Sequence, residues 1–184
     1  LQQDSGSGNT SGNSVIIRNG SSISHYEIYG AYVSHEKNQA RVTGNSVEIS
    51  DSRVQLLNTD PNAAAPGIYG AFSTDNQAEL EGNSVTIRKS TITAAGKEVI
   101  TGGEGYSAVK GNRLEIADSC LDGVAGLSGG HSSWIGKNAL NNSVLIQSTN
   151  LTGDDDIYIY GGIATENGSK ASSNSVTLNG VTAQ

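Results

Sequence analysis

Gly44-Asn45-Ser46-Val47-Glu48-Ile49 is one of six related stretches in this chain. It recurs as Gly12-Asn13-Ser14-Val15-Ile16-Ile17 and as Gly82-Asn83-Ser84-Val85-Thr86-Ile87. Looser copies are Gly111-Asn112-Arg113-Leu114-Glu115-Ile116, Asn141-Asn142-Ser143-Val144-Leu145-Ile146 and Ser173-Asn174-Ser175-Val176-Thr177-Leu178. From Asn to Asn the copies stand 32, 38, 29, 30 and 32 residues apart. Near-constant spacing of that size is the mark of a repeat architecture, in which each unit buries its apolar face only against its neighbours.

Within a copy the pattern has period two. Asn45, Val47 and Ile49 fall on one face, and Ser46, Glu48 and Ser50 on the other. All six copies read Asn-x-aliphatic-x-aliphatic on the first face, which predicts a half-buried strand and not a helix. A second short strand is expected around Val54, Ile92, Leu121 and Leu151, each preceded two positions earlier by Ser52, Ser90, Ser119 or Thr149. In the first copy this strand comes one residue later, at Ile23. A third is expected at Ile28-Tyr29-Gly30-Ala31-Tyr32, Ile68-Tyr69-Gly70-Ala71-Phe72 and Ile159-Tyr160-Gly161-Gly162-Ile163, degrading to Gly-rich stretches at 102–105 and 126–130.

These strands predict an all-β chain: a right-handed parallel β-helix, or β-solenoid, of about five to six triangular coils of roughly 32 residues. The chain reads as a single domain over 1–184, with 1–11 flexible and repeats starting near 12, 44, 82, 111, 141 and 173. At ~4.8 Å per rung the array would be roughly 25 Å long. Asn13, Asn45, Asn83, Asn112, Asn142 and Asn174 are expected to stack as a structural ladder of amides at an inner corner. The residue before each Asn, usually Gly, is expected at a bend with positive φ. Leu1 in place of Met and an open last coil read as a piece of a longer protein.

Composition narrows the partners. Charged residues make up 16% and hydrophobics 35%, with one Phe, one Trp and no Met, which suits a thin aliphatic core. Net charge is −7 and Lys and Arg form no cluster, so a nucleic-acid partner is not expected. Cys120 is alone and makes no intrachain disulfide. No apolar run approaches the roughly 18 residues of a membrane span.

Gly-Asn-Ser-Val-x-Ile, then Ile-Tyr-Gly-Ala-Tyr, then a polar stretch leading to the next Gly-Asn-Ser-Val resembles the passenger-domain repeats of Gram-negative autotransporter adhesins. The resemblance covers residues 12 to 184. It implies a right-handed β-helix, secretion to the cell surface through the outer membrane, and a structural or adhesive role in attachment or aggregation. The partner would be a host or bacterial surface protein or glycan. Contact with the membrane would come only through a translocator barrel, which this sequence does not contain.

The alternative is a β-helix carbohydrate-active enzyme or carbohydrate-binding module. Asn58-Thr59-Asp60, Gly130-His131 and Asp154-Asp155-Asp156 superficially resemble motifs of polygalacturonase-like hydrolases, but the order is inverted and the Arg-Ile-Lys element is missing. No catalytic residue, metal site or cofactor is therefore expected. His25, His35 and His131 have no metal-ligand spacing, and Asp154–Asp156 reads as a solvated loop. Tyr29, Tyr69 and Tyr160 share one register with parity opposite to the isoleucines, so they are expected to point outward as candidate binding aromatics. Trp134 is a fourth candidate.

Overall fold

A computed structural model describes residues 2–3, 9–34, 40–57, 66–153 and 156–184. Its described elements are all β-strands, with no helix among them. Every pairing is parallel and joins one repeat to the next. The strands form stacked sheets of eleven, six and six members, an arrangement compatible with a parallel β-solenoid.

One six-stranded sheet is built from the repeated motif itself. Its strands are Ser14–Ile17, Ser46–Ser50, Ser84–Arg88, Arg113–Ala117, Ser143–Gln147 and Ser175–Asn179. Their register aligns Val47 with Val85 and Ile87 with Ile116, as the repeat alignment requires. The inward aliphatics of the four central strands (Val47, Ile49, Val85, Ile87, Leu114, Ile116, Val144 and Ile146) are buried, and with the second- and third-strand aliphatics they form the larger of two cores.

The second and third strands share the eleven-stranded sheet. In the third and fourth repeats they run as single long strands, Thr91–Gly105 and Cys120–Ser132. The Gly-rich stretches 102–105 and 126–130 are therefore not a degraded element. They pair in register with Gly67–Ser73 and Tyr158–Ala164 on either side.

Glycine in these strands answers a close approach. A Cβ on Gly102 would lie 2.6 Å from the backbone N of Arg113 and 2.6 Å from the carbonyl oxygen of Gly129. Gly30, Gly70, Gly129 and Gly161 meet the same obstruction in their own layers. At this column the third strand presses directly on the start of the first, and the interior divides there.

Beyond the division lies a second, smaller core of Ala31, Val33, Ala40, Val42, Ala71, Ala78, Leu80, Val109 and Ala139. It is closed by a six-stranded sheet just ahead of each Gly-Asn: Thr10–Ser11, Arg41–Thr43, Glu79–Glu81, Ala108–Lys110, Ala139–Leu140 and Ala171–Ser172. The expectation of three strands per repeat is corrected by this fourth segment. So is that of a wholly flexible 1–11. Thr10–Ser11 pairs with Val42 and Thr43, Thr10 is buried, and Gln2–Gln3 pairs with Tyr32–Val33.

Both corners of the first strand are held by side chains. At its entry the chain turns through positive φ at Gly44 (62°), Gly82 (66°) and Gly111 (62°), and at Asn141 (55°) in the looser fifth copy. Here the asparagines stack. Asn45 accepts at Oδ1 from the backbone N–H (3.1 Å) and Nδ2 (2.8 Å) of Asn13, and its own Nδ2 donates to Asn83 Oδ1 (2.9 Å) and the Thr10 carbonyl (3.2 Å). The same four bonds recur at Asn83, Asn112 and Asn142. An amide offers two donors and two acceptor lone pairs, and these four residues use all of them.

At the exit the second turn passes through positive φ at Asp51, Lys89, Asp118 and Ser148. The following hydroxyl bridges it: Ser52, Ser90, Ser119 and Thr149 each donate to the carbonyl two residues earlier, at 2.7–2.8 Å. The Ser or Thr that precedes each second strand is thus a corner brace.

Candidate binding face

The outer face of the third strand carries the candidate site. Its register stacks two outward columns. Tyr29, Tyr69, Thr101, Ser128 and Tyr160 follow one another in the first. Tyr32, Phe72, Glu104, His131 and Ile163 form the second.

In the first two repeats both columns are aromatic and fill each other's space. Tyr29 stacks on Tyr69 (centroids 5.1 Å, planes 21° apart), and Tyr32 stacks on Phe72 (5.7 Å, 3°). Tyr69 meets Phe72 edge-on at 5.1 Å. Offset and edge-to-face contacts of this kind are the favourable ones.

The expectation that Tyr69 is a surface aromatic is corrected here, because only 2% of it is exposed. Tyr29 and Phe72 pack against its ring, and the ring lies over Gly67, where a Cβ would come within 2.9 Å of it. Burial raises the Tyr69 hydroxyl pKa far above its ordinary value, and the nearby Glu104 charge adds to the shift. Tyr29 is half-buried, with its pKa raised by burial and then by a hydrogen bond to Glu27. Tyr160 is 41% exposed and lies parallel to Tyr158 at 6.5 Å.

Between the aromatic cluster and Tyr160 the columns turn polar. Ser128 donates a 2.8 Å hydrogen bond to Thr101 Oγ1, and the two hydroxyls are buried. His131 Nδ1 lies 3.2 Å from Glu104 Oε1. Burial alone would push the imidazole toward its neutral form, but the Glu104 hydrogen bond and charge outweigh it, and the His131 pKa is raised. Its buried Nε2 has no hydrogen-bond partner among the described residues.

A cavity of about 160 Å³ opens beside this pair. Val99, Glu104, Leu127, Ser128, His131, Tyr160 and Ile163 line it, and the surface they present to it is almost wholly apolar. Gly126 also lines it, and a side chain there would be pressed against Val99.

A second exposed aromatic group occupies an edge of the stack. Trp134, 40% exposed, packs against Tyr106 at 5.3 Å, with Ile135 beside it in sequence and 66% exposed. Its turn is tied to the next layer by Ser169 Oγ donating to the Trp134 carbonyl (3.0 Å). Tyr106 was not among the sequence candidates, since it sits alone in a turn and only stacking brings it to Trp134.

The remaining polar residues are dispersed. Cys120 is half-buried along a polar groove at the second corner, near Thr91, Asn150 and Thr182. His25 accepts at Nδ1 from the Glu27 N–H (3.3 Å). His35, Asn58, Thr59, Asp60, Asp154 and Asp155 lie outside the described residues. Among the described residues no three or more His, Cys, Asp or Glu side chains gather as a metal site, and no helix is long and apolar enough to cross a membrane.

Comparison of the chain with protein-family models, with curated proteins and with solved structures finds no match.

Proposed function

We propose that this chain is a structural and adhesive segment of a bacterial surface protein, a right-handed β-helix of five coils with a sixth begun. Its stack holds edge aromatics in fixed positions for attachment or aggregation. The observation that carries the reading is the group of Trp134, Tyr106 and Ile135: large side chains exposed near one another, with the Trp134 and Tyr106 rings in contact, on a stacked β scaffold. Trp and Tyr presented on a rigid support are the side chains that most often anchor a protein partner or stack on a sugar. The repeat resemblance supplies the rest: an autotransporter passenger, exported across a Gram-negative outer membrane.

The test is to display the chain as part of a passenger on a non-adherent Gram-negative bacterium. Attachment to host cells or between bacteria is expected to rise, and to fall at least tenfold with Trp134→Ala and Tyr106→Ala together. No gain from the displayed chain, or a gain indifferent to both substitutions, overturns the adhesive reading. The encoding frame is expected to continue into further repeats and a C-terminal barrel.

A carbohydrate-active enzyme is the second reading, and the Glu104–His131 pair beside a cavity is the observation that favours it. Glycoside hydrolysis calls for two carboxylates flanking the bond, and Glu104 is the one carboxylate among the described lining residues. Turnover of acidic polysaccharides by the purified chain would overturn the non-enzymatic reading.

A further inference from the structure

The second corner of each repeat leaves a groove that runs along the stack. Two cavities of about 340 and 660 Å³ lie there, and Lys89 and Thr91 line both, so the groove is continuous. Along one side stand the turn residues of successive layers, Asp51, Lys89, Asp118 and Ser148, each at positive φ. Along the other runs an outward column of the second strand. Its register stacks Ser22, Arg53, Thr91, Cys120, Asn150 and Thr182, one per layer. The buried bracing hydroxyls lie between the two sides. Six layers at ~4.8 Å place the groove's ends roughly 24 Å apart.

The lining selects the class of ligand. Arg53, Lys89, Asp51, Asp118, Asn150 and Thr182 are exposed, so their polar atoms are open to an incoming partner. Asp51, Arg53, Lys89 and Asp118 carry two charges of each sign, and none of them forms an ion pair with a described residue. The Thr182 hydroxyl donates to Asn150 Oδ1, which leaves the Asn150 Nδ2 donors without a partner among the described residues. Polar and apolar surface occur in similar measure. The ligand should therefore be long, uncharged overall, and supplied with both hydroxyls and C–H faces.

An extended peptide fits less well. It would bind by adding to a sheet edge, and the backbone groups of these strands are already spent on the layers above and below. A polyanion such as nucleic acid would meet Asp51 and Asp118 on a chain of net charge −7. A chain of linked pyranoses offers a set of hydroxyls at close to the step between layers. We propose that this corner groove binds a neutral polysaccharide laid along the stack axis, hydrogen-bonded by the outward column from Arg53 to Thr182. The site goes beyond the adhesive reading and shares no residue with the Trp134 group.

The experiment is an NMR titration of the isotope-labelled chain with β-1,4-gluco-, β-1,3-gluco- and manno-oligosaccharides of two and of six units. At least one hexasaccharide is expected to give saturable amide shifts confined to residues 51–53, 89–91, 118–120, 148–150 and 180–182, with Kd on the order of 0.1 mM. Its disaccharide should bind at least tenfold more weakly, because it reaches fewer layers. Cys120 is the chain's single cysteine and lies in the groove, so a maleimide adduct placed there after folding should abolish binding. Asn150→Ala should weaken the affinity at least threefold, and Ile16→Thr, on the outward face of the first strand, should leave it unchanged. Absence of saturable shifts with all three hexasaccharides overturns the proposal. So does equal affinity for two and six units, binding that survives the Cys120 adduct, or equal or tighter binding of hexagalacturonate. The attachment assay reads Trp134 and Tyr106 instead, so one reading can fail while the other stands.

Discussion

Asn112 Oδ1 accepts two hydrogen bonds from Asn83, one from the backbone N–H at 2.8 Å and one from Nδ2 at 3.0 Å, while Asn112 Nδ2 donates to Leu80 O and Asn142 Oδ1. A buried amide so used is hard to replace, because an apolar side chain strands several partners at once. Asn112→Ala is expected to cost at least about 3 kcal/mol, since each buried polar group left unpaired costs roughly 1–3 kcal/mol. Urea unfolding followed by circular dichroism measures it. Asn112→Asp should recover part of the loss at low pH, where a protonated carboxyl can donate, and lose it as pH rises.

Glycine substitutions should separate close approach from backbone strain. Gly102→Ala forces a methyl group to 2.6 Å from two backbone atoms, and neither strand can retreat without breaking the ladder. Gly111 has φ of 62° and open space around it. Gly111→Ala is therefore expected to cost about 1–2 kcal/mol, the left-handed penalty alone. Gly102→Ala should cost clearly more or prevent folding. Equal unfolding midpoints for the two variants would contradict the packed column.

The outward tyrosines should differ by register. Tyr69→Ala empties the middle of a four-ring cluster and is expected to destabilise by about 3–5 kcal/mol. Tyr160→Ala removes an exposed ring and should cost about 1 kcal/mol or less. Thermal melts of both variants, run beside Tyr69→Phe to isolate the hydroxyl, test the ranking.

The Glu104–His131 pair predicts a titration and a sign. The His131 pKa should lie above the ordinary imidazole value of 6.5 in the parent chain. It should fall below that value in Glu104→Gln, where burial acts without the carboxylate. Because the folded value is raised, stability from the pair is fully present below about pH 6.5 and is lost as pH rises through the folded pKa. An NMR titration of the His131 ring gives the first quantity, and melts at pH 5.5 and 8.5 give the second.

The motif sheet and the asparagine column were legible because each copy carries two aliphatics and an Asn at period two, and six copies set the register. The short sheet ahead of Gly-Asn was not. Its strands are two or three residues long and turn one or two side chains inward, such as Val42 or Leu80, so no periodicity can develop. Gly102 and Gly103 read as breakers for a related reason. Glycine normally weakens a strand, and only the backbone pressing against it in three dimensions makes it obligatory here. Glu104 and His131 stand 27 residues apart with no motif joining them; they become neighbours solely because Gly103 pairs with Gly130. Carrying the repeat alignment through the Gly-rich stretches would have set them side by side. Tyr69 was legible in direction and not in burial, since the rings that cover it come from two repeats.

In the asparagine column, all five amide-to-amide bonds run the same way, from Nδ2 of the earlier repeat to Oδ1 of the later one. The column therefore has a sense, as an arrow does. A two-fold axis placed across it would bring donor against donor or acceptor against acceptor, whereas translation along it preserves every bond. Any copy joined through this column must arrive head to tail, the heterologous mode that grows open filaments in place of closed dimers.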